Sequence, residues 1–299
     1  MFEMVTFSWE VILIYALSGI MVLITLIYIL IKGKINWDVI LPKNDYDIYT
    51  KSHCMSTLYI TIYRSIITFF FLAVTMYVIM EYGIFLFSTY TFWNFVICVF
   101  YFACVSLFGW FEIITKNAYT SSPKMNKFRQ FIWILFQIES GNVFLICIVV
   151  WTVLYIPATD EIKEQLVNFA NIVMHVINVI ALLIDLIISH IPIDPYSFIF
   201  CIVLSLIYGY FAWIIFAIYE WTPYPFLYPD EPINALVILF VFLFHILCWL
   251  FVFFIAKFRD KKCKLFSKMD SEEKTKILDD PKLPTLEIDG TMTDTNDII

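Results

Sequence analysis

The sequence predicts an all-α, polytopic membrane bundle of about seven transmembrane helices, built as one N-terminal helix added to a six-helix core. Three observations carry this prediction. Of the 299 residues, 62% are hydrophobic and 15% charged, against about 45–50% and about 25% in soluble domains. Seven runs reach the roughly 20 apolar residues that a helix needs to cross a bilayer. No long polar stretch between them is left to build a soluble domain.

The runs fall at roughly 11–31, 58–80, 92–115, 131–156, 168–191, 196–219 and 233–256. The first is preceded by Glu3 and Glu10 rather than by basic residues and lacks a small-residue cleavage site, so it reads as a retained span. With the loop that follows it makes up residues 1–57. The second span carries Tyr63 and Arg64, the third opens just after Thr91, and the fourth holds Glu139. The fifth contains MHVINVIALLID, with His175, Asn178 and Asp185 inside an otherwise apolar run. The sixth follows the proline-containing loop SHIPIDP, and the seventh completes a core over 58–256. Residues 257–299 begin with the basic KFRDKKCKLFSK and end in a tail that holds nine acids and three lysines from 269 onward. Such composition predicts disorder.

Cytoplasmic loops are enriched in lysine and arginine. Lys32, Lys34, Lys43 and Lys51 lie in one loop, Lys116, Lys124, Lys127 and Arg129 in another, and the basic cluster follows the last span. The alternate loops 81–91, 157–167 and 220–232 contain only Lys163. An N-terminus outside, or in a lumen, and a cytoplasmic C-terminus fit this pattern. The basic cluster would lie against anionic headgroups, and Cys263 within it is a candidate for palmitoylation. The seven cysteines show no metal or pairing spacing, and no basic, aromatic-studded patch for nucleic acid is visible. The expected partners are membrane lipids; no metal or cofactor is expected.

An ionisable group in the hydrocarbon region costs several kcal/mol unless it is paired or hydrated. Arg64, Glu139 and Asp185 each lie about two turns, on the order of 10 Å, from the cytoplasmic face. They are expected to form one structural ion-pair cluster, although Arg64 can also snorkel to the headgroups. Glu112 is expected at the interface. In the outer half, His175 lies about 10 Å inward and Thr91 stands at the mouth of the third span, so the two can approach. At 100° per residue His175, Asn178 and Asp185 share an arc of roughly 80°. Ten residues separate His175 from Asp185 by about 15 Å, which rules out a hydrogen-bonded triad and leaves a dyad. A threonine hydroxyl needs a base, and neutral imidazole can serve. A lone histidine that bonds between helices is the plainer reading. His190 and His245 show no comparable partner, and His53 is in a loop.

Three segments in order resemble the androgen-induced multipass membrane protein superfamily. Some of its members are threonine hydrolases of fatty acid esters of hydroxy fatty acids; the Rolling stone proteins are related. The segments are STYTFWNFVICVFYF, HVINVIALLID with its acid ten residues after the histidine, and the Tyr228-Pro229 element in WTPYPFLYPDEP. His175/Asn178 and Tyr63/Arg64 lean towards the Rolling stone branch. The resemblance covers about residues 58–256. It implies a six-helix fold, with Thr91 as nucleophile and His175 as catalytic base; the first span is a departure from it.

On this reading a lipid ester enters from the bilayer, Thr91 attacks, and His175 moves the proton. Asn178 would support the ring, and Phe92, Trp93 and Trp151 would line an acyl pocket. The alternative is a non-enzymatic, Rolling stone-like protein of cell contact or fusion. A seven-helix receptor matches the topology, but no DRY-like triplet, NPxxY or outer cysteine clamp is present. A seven-helix receptor is therefore the weaker reading, and a retinal protein matches less well still, because the seventh span holds no lysine.

Overall fold

The computed structural model describes residues 8–35, 49–52, 54–115 and 125–278. His53, Lys43, Lys116, Lys124 and the acidic tail beyond Leu278 lie outside the described residues. The chain is a multipass membrane protein with an all-α fold. Seven helical segments are long and apolar enough to cross a membrane: Trp9–Ile31, Thr57–Ser88, Tyr90–Thr115, Asn126–Leu154, Phe169–Ile188, Phe198–Tyr219 and Ile233–Cys263. Among the described residues there is no strand, only an isolated bridge between Ser52 and Ser189.

Helix α1 spans Trp9–Ile31. Its N-cap, Ser8, accepts from the Val11 amide at 3.4 Å, and Glu10 in the first turn complements the helix dipole. The Ser8 amide also donates to the Pro229 carbonyl at 2.7 Å, which fixes the start of α1 beside the last interhelical loop. Helix α2 (Thr57–Tyr82) leads through a 3-10 turn, Gly83–Ser88, into α3 (Tyr90–Thr115). The Thr89 hydroxyl accepts from the Phe92 amide at 3.3 Å, satisfying an otherwise orphaned donor at the head of α3. This cap sets Tyr90 and Thr91 on the first turn.

Helix α4 (Asn126–Ile148) ends in a π-helical turn, Val149–Leu154. The short α5 (Asp160–Leu166) follows. The fifth span is composite: α6 (Phe169–Ile172), a π turn (Val173–Ile177) and α7 (Asn178–Ile188). Helix α8 covers Phe198–Tyr219. Helix α9 runs from Ile233 through the basic cluster to Leu278, and its part from Phe258 onward belongs to a second unit. Within that part Arg259 pairs with Asp260 at 2.7 Å.

Helices α3 and α4 sit at the centre, with α2 packed on α3, α7 and α8 packed on α4, and α1 packed on α8. Accordingly half to two thirds of the α3 and α4 spans is buried, against 11% of α1. The exposed faces carry large apolar side chains such as Ile20, Met21, Phe69 and Phe254, as a lipid-facing surface requires.

Helix α1 docks through Tyr15, whose ring centre lies 4.0 Å from that of Trp213. The approach is close enough that a Cβ on Gly209 would stand 2.6 Å from Tyr15 ring atoms. Gly209→Ala is therefore expected to cost about 1–3 kcal/mol by overpacking, and Tyr15→Leu in the same chain should restore part of it. Thermal melts of the two variants in detergent check this. A Gly209→Ala protein as stable as wild type would argue against the contact.

Candidate active site

At the end of the bundle where α1 begins, a small cavity of about 80 Å³ lies between α1, α3, α4, α8 and α9. Tyr15, Leu145, Ile146, Val150, Phe226, Leu227, Ile238 and Phe242 make most of its wall apolar. Its polar groups are Tyr90, Thr91, Ser205, Tyr208, Tyr224 and His245.

These groups fall into two sets. In one, Ser205 Oγ lies 2.6 Å from His245 Nε2 and 2.5 Å from Tyr90 Oη, while His245 Nδ1 lies 2.9 Å from the Val241 carbonyl. A carbonyl can only accept, so Nδ1 carries the ring proton and Nε2 of the neutral imidazole is an acceptor. Ser205 then donates to His245, and Tyr90 donates to Ser205. A weaker 3.1 Å bond to the Cys201 carbonyl is the serine's alternative. The sequence places the pair simply: Ser205 is on the face of α8 that packs inward, and His245 breaks an apolar run on α9. His245 is 2% exposed.

In the other set, Thr91 Oγ1 is 3.2 Å from Tyr224 Oη, and the Thr91 amide donates to that hydroxyl at 3.3 Å. Burial raises the Tyr224 phenol above its ordinary pKa. It accepts from the amide and shares with the Thr91 hydroxyl a hydrogen bond that either hydroxyl can donate.

The residues singled out from the sequence distribute as follows. Thr91 lines the cavity. His175 is 4% exposed and lies on the π turn, and it is not part of the cavity wall. Among the described residues no hydrogen bond joins the two, and His175 Nδ1 has no partner. The side-chain oxygen of Asn178 accepts from the adjacent Val179 amide at 2.7 Å instead of holding the imidazole. The 100° spacing does not apply through Val173–Ile177, because a π turn holds more residues than an α turn. Phe92, Trp93 and Trp151 are likewise absent from the wall. The Trp93 indole donates to the Phe87 carbonyl at 2.7 Å.

Arg64 and Asp185 meet in a two-pronged ion pair: Nε to Oδ1 at 2.7 Å and Nη2 to Oδ2 at 3.2 Å. Arg64 Nη1 donates to the Tyr49 carbonyl at 2.7 Å, and Tyr101 donates to Asp185. Both ions are essentially fully buried, so Arg64 does not snorkel. Glu139, expected in this cluster, stands apart from it: it is fully buried, and neither of its oxygens has a hydrogen-bond partner. Glu112, near the end of its span, is 5% exposed and accepts from the Thr50 hydroxyl.

Sequence reasoning missed Ser205, Tyr90 and Tyr224, and it set His245 aside for want of a partner. One signal was available for His245, the only His, Asp, Glu, Lys or Arg between Ile233 and Ala256, and a group so placed is functional by default. No protein-family model, no curated protein and no solved structure matches the chain.

Proposed function

We propose that this membrane protein hydrolyses lipid esters in the cavity, with Ser205 as nucleophile and His245 as base. The observation that carries the reading is the 2.6 Å Ser205–His245 bond inside an apolar cavity. Nucleophile, base and an orienting acceptor for the base are all present in the geometry that acyl transfer needs.

An acyl chain packs against the apolar wall and brings its ester carbonyl to Ser205. As Oγ bonds to the carbonyl carbon, its proton passes to His245 Nε2, and the Val241 carbonyl holds the resulting imidazolium. Tyr90, released from donating to Oγ, donates to the developing oxyanion. His245 returns the proton to the departing alkoxide as the ester C–O bond breaks. Water, giving a proton to His245, then attacks the acyl-serine; the acyl C–Oγ bond breaks, the fatty acid leaves, and His245 returns the proton to Ser205 Oγ. The cycle balances without an added reagent.

The threonine route implied by the resemblance uses the same cavity but lacks its base, because Thr91 faces Tyr224. Fatty acid esters of hydroxy fatty acids remain the first substrates to screen. We further place the cavity on the extracellular or lumenal side and the C-terminus in the cytoplasm, supported by the lysine distribution.

One observation favours a second, non-enzymatic reading akin to the Rolling stone proteins. Tyr90, Ser205 and His245 tie α3, α8 and α9 together, which a purely structural clasp would also do.

Labelling with a lipophilic fluorophosphonate separates the readings, with each purified variant shown to be folded by its thermal melt. Wild type should label, Ser205→Ala and His245→Ala should not, and Thr91→Ala and His175→Ala should label normally. Loss in the last two with retention in the first two would restore the threonine route. A folded wild type that never labels would leave the clasp.

A further inference from the structure

A second polar site lies deeper in the bundle, independent of the hydrolase reading. Glu139 and Asn142 are one turn apart on α4, hence on one face, and both are 0% exposed. Both oxygens of Glu139 and both polar atoms of Asn142 lack a hydrogen-bond partner. Across the interface α3 presents the stripe Tyr90, Asn94 and Cys98 at four-residue spacing. Glu139 is within electrostatic reach of Tyr90 and of Cys98, the two residues that bracket Asn94. Asn94 is 1% exposed; its amide nitrogen donates to the Tyr90 carbonyl, and its oxygen has no partner. Buried polar groups are almost always satisfied, so three unsatisfied side chains on two packed helices call for a shared partner.

The available cations do not supply it. Arg64 is taken by Asp185 and Tyr49. Protonating Glu139 would remove its charge but would leave Asn142 and Asn94 as they are. What these groups offer is a set of hard oxygen atoms, two from a carboxylate and one from each amide. Among the described residues no group of three or more His, Cys, Asp or Glu could hold a metal ion, so the chemistry is not that of zinc or iron. One buried carboxylate neutralises one positive charge. A divalent ion would leave a net charge in the low-dielectric interior, which is costly.

We propose that Glu139, Asn142 and Asn94 bind a monovalent hard cation of the sodium class between α3 and α4. The ion satisfies the carboxylate and both amide oxygens at once, and it locks together the two central helices, one of which carries Tyr90 to the cavity.

The test is thermal melting of the full-length protein in detergent, in sodium, potassium, lithium or N-methylglucamine chloride at one ionic strength. Sodium should raise the Tm over N-methylglucamine by on the order of 5 °C, increasing with concentration. Glu139→Gln, which keeps the shape and removes the charge, should lose the sodium increment, and Asn142→Ala should reduce it. Ser205→Ala should keep it in full. If Glu139→Gln fails to fold, Asn142→Ala and Asn94→Ala carry the test. Equal Tm values of wild type in all four salts, or a sodium increment that survives these substitutions, would overturn the proposal in favour of ordered water.

Discussion

Arg64→Ala should destabilise the protein by about 3–5 kcal/mol, roughly 10 °C in Tm, whereas Arg64→Met combined with Asp185→Leu should recover most of that loss. The asymmetry follows from desolvation. Asp185 is 0% exposed, and without the guanidinium its charge would be stranded in an apolar interior with only Tyr101 to answer it. The Tyr49 carbonyl would lose its donor as well. Removing both ions takes the uncompensated charge away, and apolar replacements of similar volume refill the space. A residue of the cost remains in the double variant, because Tyr101 and the Tyr49 carbonyl each lose a partner, at about 1–3 kcal/mol for an unsatisfied buried group. Thermal melts of the single and double variants in one detergent measure this. A single variant as stable as wild type, or a double variant no better than the single, would contradict it.

The same pair shows what the sequence discloses and what it hides. The spans were legible because length and apolarity are properties of a run, and the depth of a residue follows from counting along it. Depth counting set Arg64, Glu139 and Asp185 on one level. Counting does not give the rotation of one helix against another, and rotation is what joins Arg64 to Asp185 and leaves the buried Glu139 oxygens without a hydrogen-bond partner. The π turns at Val149–Leu154 and Val173–Ile177 compound the difficulty. Each changes the angular phase of its span, and no glycine or proline within them announces it.

His245 was hidden for a related reason. Its partner, Ser205, lies on the preceding helix 40 positions earlier in the chain, and a serine in a span looks like any small packing residue. Thr91 was conspicuous because it stands at a span end beside aromatics. Its partner Tyr224 comes from a loop whose path no periodicity describes. The basic cluster KFRDKKCK reads as the end of the last span by composition, yet the helix continues through it, since lysine and arginine are good helix formers.

If Ser205 and His245 act as one unit, their losses of activity will not add. Ser205→Ala should lower kcat/KM for a cleaved lipid ester by about 10³-fold or more, and His245→Ala by a similar factor. The double variant should be no slower than either single one, because a base without a nucleophile has no proton to take. Tyr90→Phe tests a different step. Its hydroxyl restrains Ser205 Oγ at rest and, on the mechanism above, turns to the oxyanion as charge develops there. Its removal should lower kcat by about 10²-fold and leave KM nearly unchanged, the sign of an interaction made only in the transition state. A structural clasp behaves otherwise: each substitution would loosen the same helix contacts, Tm would fall with activity, and the losses would track stability. Losses that multiply in the double variant, or that follow Tm across the series, would therefore remove Ser205 and His245 from the chemistry.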